Sequence, residues 1–226
     1  MYTNLIHTYF KTKRMICLLK HKGKGVIHNM RVEKMGLGPL STNCYIVAYN
    51  KQAIIIDPAG DGDRIIDKIA EMKVEPLAVL LTHAHFDHIG ALEQVRTHYQ
   101  IPVYIHELES DWLEDPNLNG SGLFGVGEVK ANKADHFLEM KVYHFGSISI
   151  EVRHTPGHSP GGVAFVFHEH QFVIGGDSLF AGAIGRTDLP GGSFEQLEES
   201  IRQQFYTLPG TYIVYPGHGP KTQIQK

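Results

Sequence analysis

The stretch Thr82-His83-Ala84-His85-Phe86-Asp87-His88-Ile89-Gly90 constrains this chain more than any other part of it. Three histidines and an aspartate fall within six residues, directly after the apolar run Leu77-Ala78-Val79-Leu80-Leu81. An uninterrupted apolar run of that kind reads as a buried strand. Histidine and aspartate are the side chains that bind a borderline cation such as zinc. A straight strand sends alternate side chains to opposite faces, whereas a loop leaving its end can aim several at one point. Crowded imidazoles need a shared cation to be stable. Asp87 and His88 are neighbours and must point differently from His83 and His85. One loop serving two cations therefore fits better than a single saturated structural zinc.

Two cations need more ligands, and the rest of the chain is read for them. Alternation and apolar runs predict strands over 31–37, 43–48, 53–56, 77–81, 103–105, 139–145, 148–154, 163–167, 171–174 and 212–215. Helical spacing predicts helices over 63–72, 91–99, 107–113 and 194–205, the last with Ser193 as its N-cap. Residues 115–135 are rich in Asn and Gly and read as a long irregular connection, where Leu123-Phe124 either pins the loop or forms a lid contact. Strands in both halves with helices between and after them imply an α/β sandwich of two mixed β-sheets flanked by helices. His158 lies in a Pro-Gly-His-Ser-Pro turn, Asp177 follows Gly175-Gly176, and His218 lies in Pro-Gly-His-Gly-Pro. Each of these sits at a strand end, so all could share one edge of the sandwich. Taken singly each is more often structural, and the first cluster is what raises them. The remaining histidines, His154 included, are read as surface or core residues.

Composition narrows the class. The 226 residues carry a formal net charge of -3, which gives no basic face for nucleic acid. Cys17 and Cys44 are the only cysteines, which excludes a disulfide framework and makes a cytoplasmic location the simplest expectation. No apolar run approaches membrane-spanning length. Residues 1–29 hold six Lys/Arg and no Asp/Glu, against 15 Lys/Arg and 24 Asp/Glu in the remainder. A signal peptide and a basic arm are two readings of this segment, but no small-residue cleavage site follows the short apolar core at 15–19. The favoured expectation is a non-native extension with the true start at Met30. Lys24-Gly25-Val26 is encodable as AAAGGAGTG, which resembles a ribosome-binding site.

His83-x-His85-x-Asp87-His88, then Gly157-His158, Asp177 and Gly217-His218, resembles the metallo-β-lactamase fold superfamily from about Met30 onward. The resemblance implies a four-layer αββα sandwich with a dinuclear site. It places His83, His85 and His158 on one cation and Asp87, His88 and His218 on the other, with Asp177 bridging. Asp57, in Asp57-Pro58-Ala59-Gly60, matches a buried aspartate that supports the metal loop. The residues alone read Asp57 equally well as a helix cap or turn. Two divalent ions are implied, with zinc expected and iron or manganese the other candidates.

Within that superfamily, Thr155-Pro156-Gly157-His158-Ser159-Pro160-Gly161 and Ile184-Gly185-Arg186-Thr187-Asp188-Leu189-Pro190-Gly191-Gly192 resemble the compact bacterial branch of glyoxalase II. The implied activity is hydrolysis of a small S-(2-hydroxyacyl) thioester of a low-molecular-weight thiol. In that chemistry paired cations supply hydroxide near neutral pH and polarise the carbonyl. Asp87 and Asp177 orient the nucleophile, and the thiolate leaves without a strong general acid. Arg186 is a candidate for a substrate carboxylate, with an ion pair to Asp188 as the competing reading. Eight residues follow His218, too few for the C-terminal helical region that helps glyoxalase II bind glutathione, so another small thiol or a broader thioester range is expected. An Arg-Thr-Asp motif also occurs in iron-dependent persulfide dioxygenases, but Gly162 stands where those enzymes typically have cysteine. A lactonase and a non-catalytic metal-binding protein complete the alternatives.

Overall fold

The central strands of both sheets are apolar on both faces, and the fold provides a separate core for each face. In the computed structural model, which describes residues 30–225, β2 (Thr42–Tyr49) sends Cys44, Ile46 and Ala48 one way and Tyr45 and Val47 the other. Strand β3 (Gln52–Ile56) splits Ala53 and Ile55 from Ile54 and Ile56 in the same manner. β4 (Glu75–Leu80) separates Val79 from Ala78 and Leu80. The period of two thus divides each run between a helix-facing core and an inter-sheet core. The expectations for 1–29, a non-native extension included, lie outside the described residues.

The first sheet has the order β1-β2-β3-β4-β5-β6, with β1 (Arg31–Leu37), β5 (Val103–Ile105) and β6 (His136–Phe137) completing it. β1, β2 and β3 pair antiparallel, and β3 through β6 pair parallel. Helices α1 (Gly62–Met72) and α3 (Leu92–Tyr99) supply the crossovers and bury Ile65, Ile69, Leu92 and Val95 on the outer face. Between them lies α2 (Phe86–Ile89), a single turn inside the histidine stretch.

The second sheet runs β14-β13-β10-β9-β8-β7. Its strands are β7 (Val142–Phe145), β8 (Ile148–His154), β9 (Val163–Phe167), β10 (Phe172–Gly176), β13 (Ile213–Pro216) and β14 (Thr222–Gln223). A short hairpin, β11 (Leu179–Phe180) and β12 (Ala183–Ile184), follows β10. Phe165, Phe167, Phe172 and Ile174 fill the space between the sheets, while Ala164, Val166 and Val173 face the last helix. This is the four-layer αββα arrangement.

The loop after β5 holds a 3-10 helix, Glu107–Leu113, and then one turn, α4 (Ser121–Phe124), within the stretch whose composition predicts an irregular connection. The last helix, α5 (Phe194–Ser200), is capped by the Ser193 hydroxyl, which accepts from Gln196 N–H at 3.3 Å. It continues as a π-helical segment, Ile201–Phe205, instead of a uniform α-helix. Leu197, Ile201 and Phe205 recur every four residues, and the wider turn keeps all three in line against the second sheet.

Candidate metal centre

Every residue singled out as a candidate ligand follows a strand, and the strand ends converge. His83 and His85 leave β4, His158 leaves β8, Asp177 leaves β10 and His218 leaves β13. One donor atom from each of His83, His85 and His158 lies within 4.8 Å of the others. The same holds for Asp87, His88 and His218, and for His83, His88 and Asp177. The α2 turn separates Asp87 and His88 from the preceding histidines by rotating each successive side chain about 100°.

Asp177 stands between the two triads. Its Oδ2 is 3.6 Å from His158 Nε2 and 3.4 Å from His218 Nε2, and its Oδ1 is 3.5 Å from His88 Nε2. That approach depends on Gly217, where a Cβ would collide with Asp177 Oδ1. Thr42 Oγ donates to Asp87 Oδ2 at 2.7 Å, and His218 Nε2 lies 3.2 Å from the same oxygen.

The imidazole protons can be assigned from their neighbours. Asp57 Oδ2 accepts from Thr82 Oγ at 2.6 Å, which uses the hydroxyl's single proton. Thr82 Oγ, 3.0 Å from His83 Nδ1, must therefore accept, so His83 carries its proton on Nδ1. His88 Nδ1 donates to Asp57 Oδ2 at 2.9 Å. His158 Nδ1 donates to the Arg186 carbonyl at 2.8 Å. All three rings thus turn Nε2 inward, the orientation that an outer hydrogen-bond partner imposes on a metal-binding histidine. Asp57 also accepts the Thr82 N–H at 2.8 Å, so one buried carboxylate orients two rings and one main-chain segment. It does so from a left-handed conformation, φ 51°, that its three bonds hold in place.

The electrostatics differ between the triads. Burial, reinforced by neighbouring imidazoles, pushes His83 well below the usual histidine range and His85 down to about 3. Burial lowers His158 as well. The first triad is consequently neutral, and its ring nitrogens converge, His85 Nδ1 lying 2.9 Å from His158 Nε2. At His88 burial opposes protonation, but the carboxylates of Asp87, Asp177 and Asp57 outweigh it and raise the ring well above its ordinary value. Burial opposes protonation at His218 too, yet hydrogen bonds to Asp177 and Asp87 raise it to about 9. Asp177 stays well below the carboxylate range despite its burial, held by charged His88 and the His218 bond.

The donor set fits divalent cations. His83 Nε2, His88 Nε2 and Asp177 Oδ1 are buried and have no hydrogen-bond partner in the protein. Buried polar atoms are almost always paired, and three orphans facing one another are what a shared cation satisfies. With nitrogen and carboxylate donors and no thiolate, the set suits zinc, iron or manganese.

Above the cluster lies a cleft of about 450 Å³ with an apolar wall of Leu40, Phe124, Val126 and Leu189. Phe124 packs near Phe86, ring centroids 5.7 Å apart, so it belongs to the cleft wall. Arg186 also lines the cleft, but its guanidinium is held by Asp188 at 2.7 and 2.8 Å and lies 5.8 Å from the Phe124 ring centre. It is the Arg186 carbonyl that touches the cluster, through His158. His154 stays outside the centre, bonding the Pro160 carbonyl at 2.9 Å and stacking on His106.

Three supporting residues escaped the sequence reading. Thr42 has no local signal, since its partner is 45 positions away. Asn43 donates to the Pro216 and Gly219 carbonyls and so holds the His218 loop, again across the sequence. Glu109 did carry a signal, being an acidic residue on the same face as Trp112 in a short helix whose apolar side is buried.

These observations meet the comparisons with known proteins. The chain belongs to the metallo-beta-lactamase superfamily, whose model matches residues 37–218. It is similar to the probable metallo-hydrolase YqgX of Bacillus subtilis, 47% identical over 86% of this chain and 93% of the relative. It is 33% identical to the hydroxyacylglutathione hydrolase GloC of Haemophilus influenzae, over 86% of this chain and 93% of that one. Among solved structures, that of BLEG-1 B3 metallo-beta-lactamase superposes with a TM-score of 0.84 at 44% identity, covering 86% of this chain and 95% of the other.

Proposed function

We propose that this chain is a metal-dependent hydrolase that cleaves S-(2-hydroxyacyl) thioesters of a small thiol. The observation that carries the reading is the pair of triads joined at Asp177 beneath an open, apolar-walled cleft. Similarity to GloC supports the thioester as the bond attacked. His83, His85 and His158 would hold one cation and Asp87, His88 and His218 the other, with Asp177 shared. When bound, such cations supply hydroxide at neutral pH and Lewis acidity toward a carbonyl oxygen.

The chain's own residues do the rest. Thr42 fixes the Asp87 carboxylate, so that with Asp177 it can orient the attacking water. The wall formed by Leu40, Phe124, Val126 and Leu189 gathers the acyl thioester and excludes bulk water. No group is assigned to protonate the leaving sulfur, because a thiolate departs unaided. Arg186 is already neutralised by Asp188, so its guanidinium serves the loop in preference to a substrate carboxylate.

A panel assay tests this. Metal-loaded protein is expected to release free thiol from S-lactoyl conjugates and to lose that activity on chelation. A lactone, a β-lactam and a persulfide with oxygen uptake form the other arms. The β-lactam arm is motivated by the likeness to BLEG-1. Turnover of any of these in the absence of thioester cleavage reassigns the substrate.

A further inference from the structure

One buried carboxyl group has no part in the chemistry above. Glu109, in the 3-10 helix Glu107–Leu113, is fully buried. Its Oε2 accepts the Ala84 N–H at 2.6 Å and its Oε1 accepts the Gly161 N–H at 2.7 Å. Ala84 lies between His83 and His85, and Gly161 lies three residues past His158. A single carboxylate thereby fastens together the two loops that carry the first triad. The fit is close, for a Cβ on Gly161 would stand 2.9 Å from Glu109 Cγ. Trp112, on the next turn of the same helix, has its ring 5.7 Å from that of His85.

Stability alone is a poor explanation for this residue. A buried carboxylate carries a desolvation cost, and an apolar side chain of similar size is often as stable or more so. What a carboxylate provides that an apolar group or an amide does not is two acceptors on one rigid plane.

We propose that Glu109 is a positioning residue that sets the spacing of His83, His85 and His158. The inference rests on reading that triad as one of two cation sites. Asp57 also holds the histidine loop, through Thr82 and His88, but Glu109 differs in tying that loop to the one that carries His158.

The test reads metal binding and not turnover. Metal-free chain is titrated with Co²⁺ alone, followed by calorimetry and visible absorption, for wild type, Glu109→Gln and Gly161→Ala. Glutamine keeps the size but turns an amide donor toward one of the two N–H groups. Alanine at 161 displaces the carboxylate without altering it. Each variant is expected to weaken one equivalent by about ten- to hundredfold and leave the other within about twofold. The thermal midpoint of the metal-free form is measured alongside. A lowered midpoint with both affinities unchanged, or equal weakening of both equivalents, overturns the proposal. Wild type taking up a single equivalent refutes the two-cation reading instead. Glu109 is then judged on that equivalent, with a loss of the stated size upholding its role and unchanged affinity ending it.

Discussion

At the scale of the residue, the centre is built by fixing tautomers. Three outer acceptors, the Thr82 hydroxyl, the Asp57 carboxylate and the Arg186 carbonyl, each accept from an Nδ1 and turn the ring's Nε2 inward. Replacing His158 by alanine removes a donor from the first triad and is expected to lower metal content and rate together. The loss of affinity should exceed the roughly ten- to hundredfold typical of an outer-shell change. Metal stoichiometry measured after dialysis checks it, and an unchanged value removes His158 from the centre. The candidate ligands were legible because histidine and aspartate crowd one stretch and recur beside glycine at strand ends. Thr42 and Asn43 were not, since each is an ordinary strand residue whose role exists only once distant strands meet. Asp57 was ambiguous from its own surroundings, and only its bonds to Thr82 and His88 separate a supporting carboxylate from a turn residue.

At the scale of the element, the central strands β2, β3, β9 and β10 were legible because both faces are buried, which makes each an apolar run, whereas β8 shows as alternation. β6, β11, β12 and β14 were not, because two residues have no period. The α2 turn was hidden for a similar reason, being four residues long and dominated by ligands. The wall of the cleft is a loop property, and its test belongs here. Phe124→Ala trims the apolar wall without touching a ligand. It is expected to raise KM for apolar acyl thioesters about tenfold, from the ~1.5–3 kcal/mol that burying such a side chain contributes when only part of it is covered by substrate. Metal content should stay at the wild-type value, and steady-state kinetics beside metal analysis separates the two effects. An unchanged KM would place the acyl chain elsewhere.

At the scale of the molecule, two six-stranded sheets bring ligands from both halves of the chain to one edge. A main-chain bond, Val163 N–H to the Thr82 carbonyl at 2.8 Å, joins them beside the centre. Cys44, deep in the first sheet, reports on that whole. Burial, with the charge of Asp57 adding to it, pushes the thiol's pKa far up. The nucleophilic thiolate is thus scarce below about pH 10, and folded protein should leave Cys44 unlabelled by iodoacetamide. The peptide carrying Cys44, followed by mass spectrometry through a denaturant series, should become alkylated only as the fold opens. Labelling in the native state would mean that the first sheet opens locally.

The bond from His158 to position 186 has a consequence for how such an enzyme changes over time. The acceptor is a main-chain carbonyl, which every amino acid supplies alike. The side chain at this position, which lines the cleft, can therefore be exchanged without withdrawing the group that steadies the ring. Change in the lining of the cleft is thereby uncoupled from the bond that orients a candidate ligand, and new cleft surfaces become accessible through side-chain replacement alone.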